Sequence, residues 1–219
     1  RHSLKDCLAM TQLDLKRRMK ACRIVPVIMI EDEAQAVDIA KALIAGGVDV
    51  LEVTLRTAAG LPSIDNIKRA GLNCIIGAGT VTDLDDIAAC EKAGADFLVT
   101  PATPPHLFEG LLNFDGLVLP GAATPTEALT LYQTGFDIVK FFPAEQAGGL
   151  DYLKSLQGPL PDIRFCPTGS ITRERAPDYL ALGNVVCVGG SWIASKAMVE
   201  QGDWAGIEAN ARAAAAMRT

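Results

Sequence analysis

Histidine, positive charge and long apolar runs are all scarce in this sequence of 219 residues. Only two histidines occur, His2 and His106, and no HxxxH spacing places two imidazoles on one metal ion, which argues against a histidine-bound zinc. Lysine and arginine number 20 against 26 aspartate and glutamate, so the net charge of −6 leaves no basic face for nucleic acid. We therefore expect no metal site and no nucleic-acid partner.

No apolar run reaches the length that spans a membrane, and the N-terminus mixes charged with apolar residues where a signal peptide is continuously apolar. The cysteines form no CxxC pair, and several lie inside apolar runs, as buried thiols do in a reducing compartment. The six are Cys7, Cys22, Cys74, Cys90, Cys166 and Cys187. These features predict a cytoplasmic protein with no membrane contact and with its cysteines in the core.

The composition is that of a compact globular protein. Hydrophobic residues make up 49% of the chain and charged residues 21%, which is enough apolar material for a large core. Barrels of alternating strands and helices commonly reach this length as one domain, so we predict a single domain over residues 1–219.

One unit recurs from Arg23 onward: a short apolar run, a small-residue or polar turn, and an amphipathic stretch that ends at glycine. The apolar runs are RIVPVIMI, VLEVTLR, CIIGAGTV, FLVTPA, GLVLPGA, IVKFFPA, IRFCPTG and VVCVGGS. Stretches such as DEAQAVDIAKALIAGG and TPTEALTLYQTG between them have helical spacing, Asp or Thr caps and terminal glycines. Strands alternating with helices form parallel sheets, and eight such units predict an α/β fold of the (β/α)8 TIM-barrel type.

A doubly wound open sheet is the alternative architecture. It usually carries a nucleotide-binding loop, yet GAGTVT lacks the third glycine of the dinucleotide fingerprint and no GxxxxGK motif occurs. The barrel is therefore favoured. Residues 1–22 are predicted to form an extra N-terminal helix that caps the barrel and carries no chemistry.

Two charged residues lie on one face of the second run, VLEVTLR. Leu51 and Val53 must face the helices, which turns Glu52 and Arg56 toward the barrel interior, where active sites form at the C-terminal ends of the strands. A structural ion pair or a solvated strand end is the alternative interpretation.

A lysine stands in the apolar run IVKFFPA. Lys140 has apolar neighbours whichever face it takes, and burying an ammonium costs several kcal/mol unless it is paired or loses its proton. An unprotonated amine attacks carbonyl carbons, so Lys140 is a candidate nucleophile. The alternative is a lysine that extends to solvent from a strand end.

The last two runs end in the turns PTGS (residues 167–170) and VGGS (residues 188–191). In many (β/α) barrels the loops after the seventh and eighth strands bind a phosphate through backbone N–H groups. These turns therefore predict a phosphate site, although glycines that merely shape tight turns are the simpler explanation.

Several segments resemble the 2-keto-3-deoxy-6-phosphogluconate (KDPG) and 4-hydroxy-2-oxoglutarate aldolase family, which includes the aldolase of the Entner–Doudoroff pathway. They are VLEVTLR, GAGTV, VTP, VKFFPAE, RFCPTGSIT and VGGSW, in the family's order, and they extend from Arg23 to about Trp204. VKFFPAE and FCPTG are the most specific, and FCPTG with VGGS resembles the phosphogluconate branch more than that of its galactonate epimer. The resemblance implies a homotrimeric (β/α) barrel that cleaves KDPG to pyruvate and glyceraldehyde 3-phosphate without a metal or other cofactor. Many members also cleave 4-hydroxy-2-oxoglutarate to pyruvate and glyoxylate.

The resemblance also assigns roles to residues. It makes Lys140 the Schiff-base lysine and Glu52 the general acid/base. The expected substrate-binding residues are Arg56, Thr80, Pro101, Phe142 and Thr168. The expected phosphate-binding residues are Gly169, Ser170, Gly190 and Ser191. Ser170 stands where the family usually has glycine, and its backbone N–H can still bind phosphate provided that φ stays negative there.

This chemistry suits the residues. Breaking the C3–C4 bond of a 2-keto acid leaves an electron pair that an adjacent protonated imine absorbs as an enamine, and one mobile acid/base serves the proton transfers. Arg56 would hold the substrate carboxylate, with the Thr80 hydroxyl as a second donor. Two alternatives remain: an aldolase in which a divalent cation stabilises an enolate, and a catalytically silent barrel that senses a phosphorylated metabolite.

Overall fold

A computed structural model of the protein describes residues 12–217. The strands are β1 (Ile24–Ile28), β2 (Val50–Thr54), β3 (Ile75–Gly79), β4 (Phe97–Val99), β5 (Leu117–Leu119), β6 (Gly121–Ala122), β7 (Ile138–Phe141), β8 (Arg164–Pro167) and β9 (Val188–Gly190). The helices are α1 (Gln12–Cys22), α2 (Ala36–Ala45), α3 (Gly60–Arg69), α4 (Leu84–Ala93), α5 (Phe108–Asn113), α6 (Pro125–Thr134), α7 (Gly149–Leu156), α8 (Ala176–Leu180), α9 (Lys196–Gln201) and α10 (Trp204–Ala215).

Each of the eight apolar runs contains a strand. The run GLVLPGA contains two, because Pro120 has no N–H to donate and separates β5 from β6. Its carbonyl still accepts from Lys140 N at 2.8 Å, which ties this run to β7.

The helices begin and end where local chemistry places them. In α6, the Thr124 hydroxyl accepts from Glu127 N and the Glu127 carboxylate accepts from Thr124 N, which forms a capping box. The helix stops at Gly135, whose φ of 117° is accessible to glycine at little cost. The Thr cap and terminal glycine predicted for TPTEALTLYQTG are therefore confirmed in α6. In DEAQAVDIAKALIAGG, Asp32 caps the 3-10 turn Glu33–Gln35 that precedes α2, and α2 ends at Gly46.

All strand pairings are parallel. A six-stranded sheet has the order β5-β4-β3-β2-β1-β9, and a three-stranded sheet has the order β6-β7-β8. The order of the larger sheet never reverses, whereas a doubly wound sheet contains a reversal. The first strand of the chain also pairs with the last, with Val25 opposite Gly189. The chain therefore has an α/β fold with a curled, parallel six-stranded sheet and a second parallel sheet of three strands.

Backbone contacts connect the two sheets. Isolated parallel bridges join Phe165 to Val185 and Thr168 to Gly189, which places β8 beside β9. At the other side, β5 of the large sheet and β6 of the small one are separated by Pro120 alone.

Helix α1 packs against the N-terminal ends of strands. Leu15 and Met19 are buried, and Arg18 pairs with Asp49, just before β2, at 2.7 Å. Lys16 forms a further ion pair with Asp137, just before β7. Residues 1–11 of the predicted capping helix, with Cys7 and His2, lie outside the described residues.

Four of the cysteines, Cys22, Cys90, Cys166 and Cys187, are buried, as predicted, whereas Cys74 is half-buried. Burial, helped by the negative charge of Asp86, raises the pKa of the Cys90 thiol to about 12. Within residues 12–217, no helix combines the length and the apolar character needed to cross a bilayer.

Candidate active site

Lys140 lies on β7 with its side chain almost completely covered, at 5% exposure. Its Nζ atom is 3.7 Å from Glu52 Oε1 on β2, so the two groups meet across the space between the two sheets. The amine also stands 5.0 Å from the centroid of the Phe142 ring. A lysine that extends to solvent is therefore the wrong interpretation.

Glu52 is equally buried, at 4% exposure. Its ion pair is with Lys140 and not with Arg56, and its burial argues against a solvated strand end. Among the residues that the structure describes, Oε1 of Glu52 has no hydrogen-bond partner. A buried acceptor without a donor is costly, so this oxygen is available to a substrate hydroxyl or to water.

Two glycines of β3 make room for these groups. Gly77 lies opposite Glu52 in the register, and a Cβ atom at Gly79 would come within 2.8 Å of Glu52 Cγ and Cδ. A Cβ at Gly77 would overlap the Phe97 ring. The sequence does contain a signal for this close packing. The glycines of GAGTV stand at alternate strand positions, and glycine within a strand often marks a place where another group approaches closely.

Arg56 lies outside the strand that was predicted to contain it. Strand β2 ends at Thr54, and Arg56 follows in a turn as an exposed residue. It lines an open cleft of about 410 Å³ together with Thr54, Ser170, Thr172, Ser191 and Lys196. Cations and hydroxyl groups therefore surround one volume, which suits an anionic ligand.

Ser170 does not meet the condition of a negative φ that its replacement of glycine required. Its φ is +57° and that of Gly169 is +117°. The chain reverses here, and Gln146 Nε2 donates to Ser170 Oγ at 2.9 Å, which holds the serine in a region that glycine enters more easily.

The remaining predicted residues follow the C-terminal ends of their strands. Thr80, with a φ of 63°, follows β3, and Pro101 lies shortly after β4. Neither hydrogen-bonds to Lys140 or Glu52 in the described part of the chain. Thr168 is buried after β8 and packs against Gly189, while Gly190 ends β9 directly before Ser191.

Hydrogen bonds join the loop after β7 to the turn after β8. Ala144 N donates to Thr168 O at 2.8 Å and Glu145 N donates to Gly169 O at 3.3 Å. The Glu145 carboxylate in turn accepts from the buried Tyr179 hydroxyl at 2.7 Å. The segment that follows the lysine strand is thus fixed against the glycine turn, a contact between distant residues that no local pattern in the sequence indicated.

The buried Lys140 amine on β7 and the buried Glu52 carboxylate on β2, whose last residue Thr54 lines the anion cleft, are what covalent catalysis on a keto acid requires. This arrangement is that of an aldolase, a carbon–carbon lyase. Residues 15–210 match the model of the KDPG and KHG aldolase family, and the chain belongs to that family. The resemblance seen in the sequence is thereby confirmed.

Individual relatives agree with the family match. The 2-dehydro-3-deoxy-phosphogluconate aldolase of Pseudomonas aeruginosa is 47% identical over 195 residues, which are 89% of each chain. The KDPG aldolase of Legionella pneumophila, solved with pyruvate as a covalent carbinolamine intermediate, is 35% identical with a TM-score of 0.88, over 90% of this chain and 96% of that one. The Zymomonas mobilis KDPG aldolase with 3-phosphoglycerate is 40% identical with a TM-score of 0.86, over 94% and 97%.

Proposed function

We propose that this protein is a class I aldolase that cleaves KDPG to pyruvate and glyceraldehyde 3-phosphate through a Schiff base on Lys140. The observation that carries the proposal is the buried pair of Lys140 Nζ and Glu52 Oε1 at 3.7 Å. The covalent carbinolamine of pyruvate in the Legionella relative supports the same chemistry.

The lysine supplies the electron sink. The Lys140 amine attacks the C2 carbonyl to give a carbinolamine, which loses water to become a protonated imine. When the C3–C4 bond breaks, its electron pair moves into the imine to form an enamine, and the C4 hydroxyl loses its proton to become the aldehyde. Protonation of the enamine at C3 and hydrolysis of the imine release pyruvate and restore the amine.

Glu52 is the proposed acid/base for these proton transfers. It is near enough to exchange a proton with the carbinolamine on Lys140, directly or through one water molecule. Its unpartnered Oε1 would accept from that water or from the C4 hydroxyl of the substrate. Gly79 of β3 leaves the space that this carboxylate occupies.

The substrate carboxylate is assigned to Arg56, with Thr80 as a second donor and Pro101 and Phe142 as walls of the pyruvate pocket. Arg56 is available for this role because the structure describes no ion pair for it between residues 12 and 217. Its planar guanidinium can bind a carboxylate through two hydrogen bonds.

The phosphate is assigned to the turns after β8 and β9, where Ser170 and Ser191 line the cleft. Gly169 and Gly190 would allow close approach of the backbone, and Thr168 would line the same end. The 3-phosphoglycerate of the Zymomonas structure supports a phosphorylated ligand. We further propose cleavage of 4-hydroxy-2-oxoglutarate as a second activity, in accordance with the family's name.

We propose that the two sheets close into one (β/α)8 barrel, a single domain over residues 1–219 in which α1 is the capping helix. If β5 and β6 count as one interrupted strand, the eight apolar runs supply eight strands. The β1–β9 pairing and the bridges between β8 and β9 support closure on one side, and the β6–β7 pairing supports it on the other.

We propose a homotrimer in the cytoplasm. The family resemblance suggests the trimer, and the exposed side chains of Leu112, Leu129 and Tyr132 on α5 and α6 offer apolar surface for subunit contact. The buried cysteines favour a reducing compartment. Light scattering on the purified protein tests the trimer.

Trapping the imine tests the function. Incubation with pyruvate and borohydride should reduce the Schiff base to a stable secondary amine, abolish activity and add a pyruvate-derived mass to the peptide that contains Lys140. Incubation with borohydride alone is the control. Full activity after treatment, or label on a different lysine, would contradict the proposal.

A further inference from the structure

Lys196 is a second cation on the cleft and has no role in the assignments above. It is the first residue of α9 and lines the same volume as Arg56, Ser170 and Ser191. KDPG is anionic at both ends, with a carboxylate on one and a phosphate on the other. Two cations on one cleft therefore match two anionic groups on one substrate.

The ammonium of Lys196 is held by two carboxylates. Its Nζ atom is 3.0 Å from Glu31 Oε1 and 3.5 Å from Glu200 Oε1. Glu200 lies one helical turn further along α9, whereas Glu31 belongs to the loop after β1. Glu31, mainly through its hydrogen bond, raises the pKa of Lys196, so the amine keeps its charge.

The ion pair between Lys196 and Glu31 is weak enough for another anion to displace Glu31. Both side chains are 49% exposed, and exposed ion pairs contribute little free energy because water screens them and two long side chains must be ordered. A phosphate offers more charge and three acceptor oxygens, so it competes well for the same ammonium. Glu200 can keep the lysine on the cleft while Glu31 is displaced.

We propose that Lys196 is a specificity-determining residue for the phosphate end of the substrate, and that Glu31 occupies its ammonium until the phosphate replaces it. This inference rests on the proposed function, because it takes the cleft as the substrate site. Neither residue contacts the reacting atoms, so the effect falls on the Michaelis constant and less on kcat.

Two variants should act in opposite directions. Lys196→Gln should raise the KM for KDPG about 5- to 10-fold, as expected for loss of one charge-assisted hydrogen bond at a solvated site. Glu31→Gln should lower that KM about 2- to 3-fold, because the competing carboxylate is gone. The matched control is Lys41→Gln, which removes an exposed lysine that is paired with Asp38 on α2 and does not line the cleft.

Two further readouts separate this role from a structural one. Inorganic phosphate should inhibit Lys196→Gln less, and Glu31→Gln more, than it inhibits the wild-type enzyme. Pyruvate has no phosphate, so the pyruvate concentration that gives half-maximal borohydride trapping should be the same in both variants as in the wild-type enzyme. A general distortion of the site would change pyruvate trapping as well.

The outcomes are distinguishable. If wild type cleaves KDPG and Lys196→Gln keeps its KM, the inference is overturned while the proposed function stands. An increase in KM for Glu31→Gln as large as that for Lys196→Gln would mean that the pair only supports the fold, which also overturns it. If wild type does not cleave KDPG, the proposed function fails and this inference fails with it.

Discussion

Replacing Gly79 by alanine tests whether space on β3 sets the position of the acid/base. The new Cβ would come within 2.8 Å of Glu52 Cγ and Cδ, a distance that Cβ atoms essentially never have. The obstructed group is the end of a flexible side chain and not backbone, so the carboxylate moves while the strand stays. We expect Glu52 to leave its position 3.7 Å from Lys140.

The stability cost of this change should be moderate and the loss of activity large. Overpacking a buried site by one methyl group costs about 1–3 kcal/mol, which for a chain of this size lowers Tm by about 2 to 12 °C. Losing a positioned acid/base slows turnover by about two to four orders of magnitude. The Gly79→Ala enzyme should therefore remain folded while its turnover of KDPG is slow.

The assay combines kcat for KDPG cleavage with a thermal melt and circular dichroism. Gly158→Ala is the matched control, because no heavy atom lies within 4 Å of a Cβ at that exposed position. It should keep both activity and Tm. Wild-type kcat in a folded Gly79→Ala enzyme would refute the reasoning, as it would show that Glu52 needs no such space or plays no part in proton transfer.

Three further predictions concern the same site. Glu52→Gln keeps the shape and loses the proton chemistry, so kcat should fall by about two to four orders of magnitude with a smaller change in KM; an unchanged kcat would leave Glu52 only a structural role. Activity should survive exhaustive treatment with chelator, since the imine already absorbs the electrons, and loss that magnesium or manganese restores would favour a metal-dependent aldolase. Ser170→Gly should be tolerated because glycine retains the N–H and suits φ +57°, whereas Ser191→Phe should raise KM for KDPG far more than for 4-hydroxy-2-oxoglutarate; equal losses in folded protein would place the phosphate elsewhere.

Much of the fold could be predicted because its signals are local. Strands and helices follow from periodicity, and the helix ends follow from residues such as Thr124 and Gly135 that act within one turn. The alternation of VLEVTLR and IVKFFPA also identified Glu52 and Lys140 as the polar residues of apolar strands. Their separation of 3.7 Å depends on how the two sheets lie against each other, which sequence patterns indicate only as a class of architecture.

What escaped prediction depends on distant neighbours. The left-handed φ of Ser170 is accompanied by a hydrogen bond from Gln146, 24 residues away. The ion pair of Lys196 and Glu31 joins residues 165 positions apart. Arg56 was assigned to a strand because the apolar alternation continues past Thr54, although the strand itself stops there. Patterns in one stretch of chain carry no information about such partners.

The hydrogen bonds from Ala144 and Glu145 to Thr168 and Gly169 have a consequence for which aldehydes fit. They fix the segment that follows the lysine strand against the turn proposed for the phosphate. The distance between the two attachment points of the substrate, the Lys140 amine and that turn, is therefore constant. With the phosphate bound at that turn, a phosphorylated aldehyde one carbon shorter or longer would lose one of the two attachment points. Among phosphorylated aldehydes, this backbone would then select for chain length.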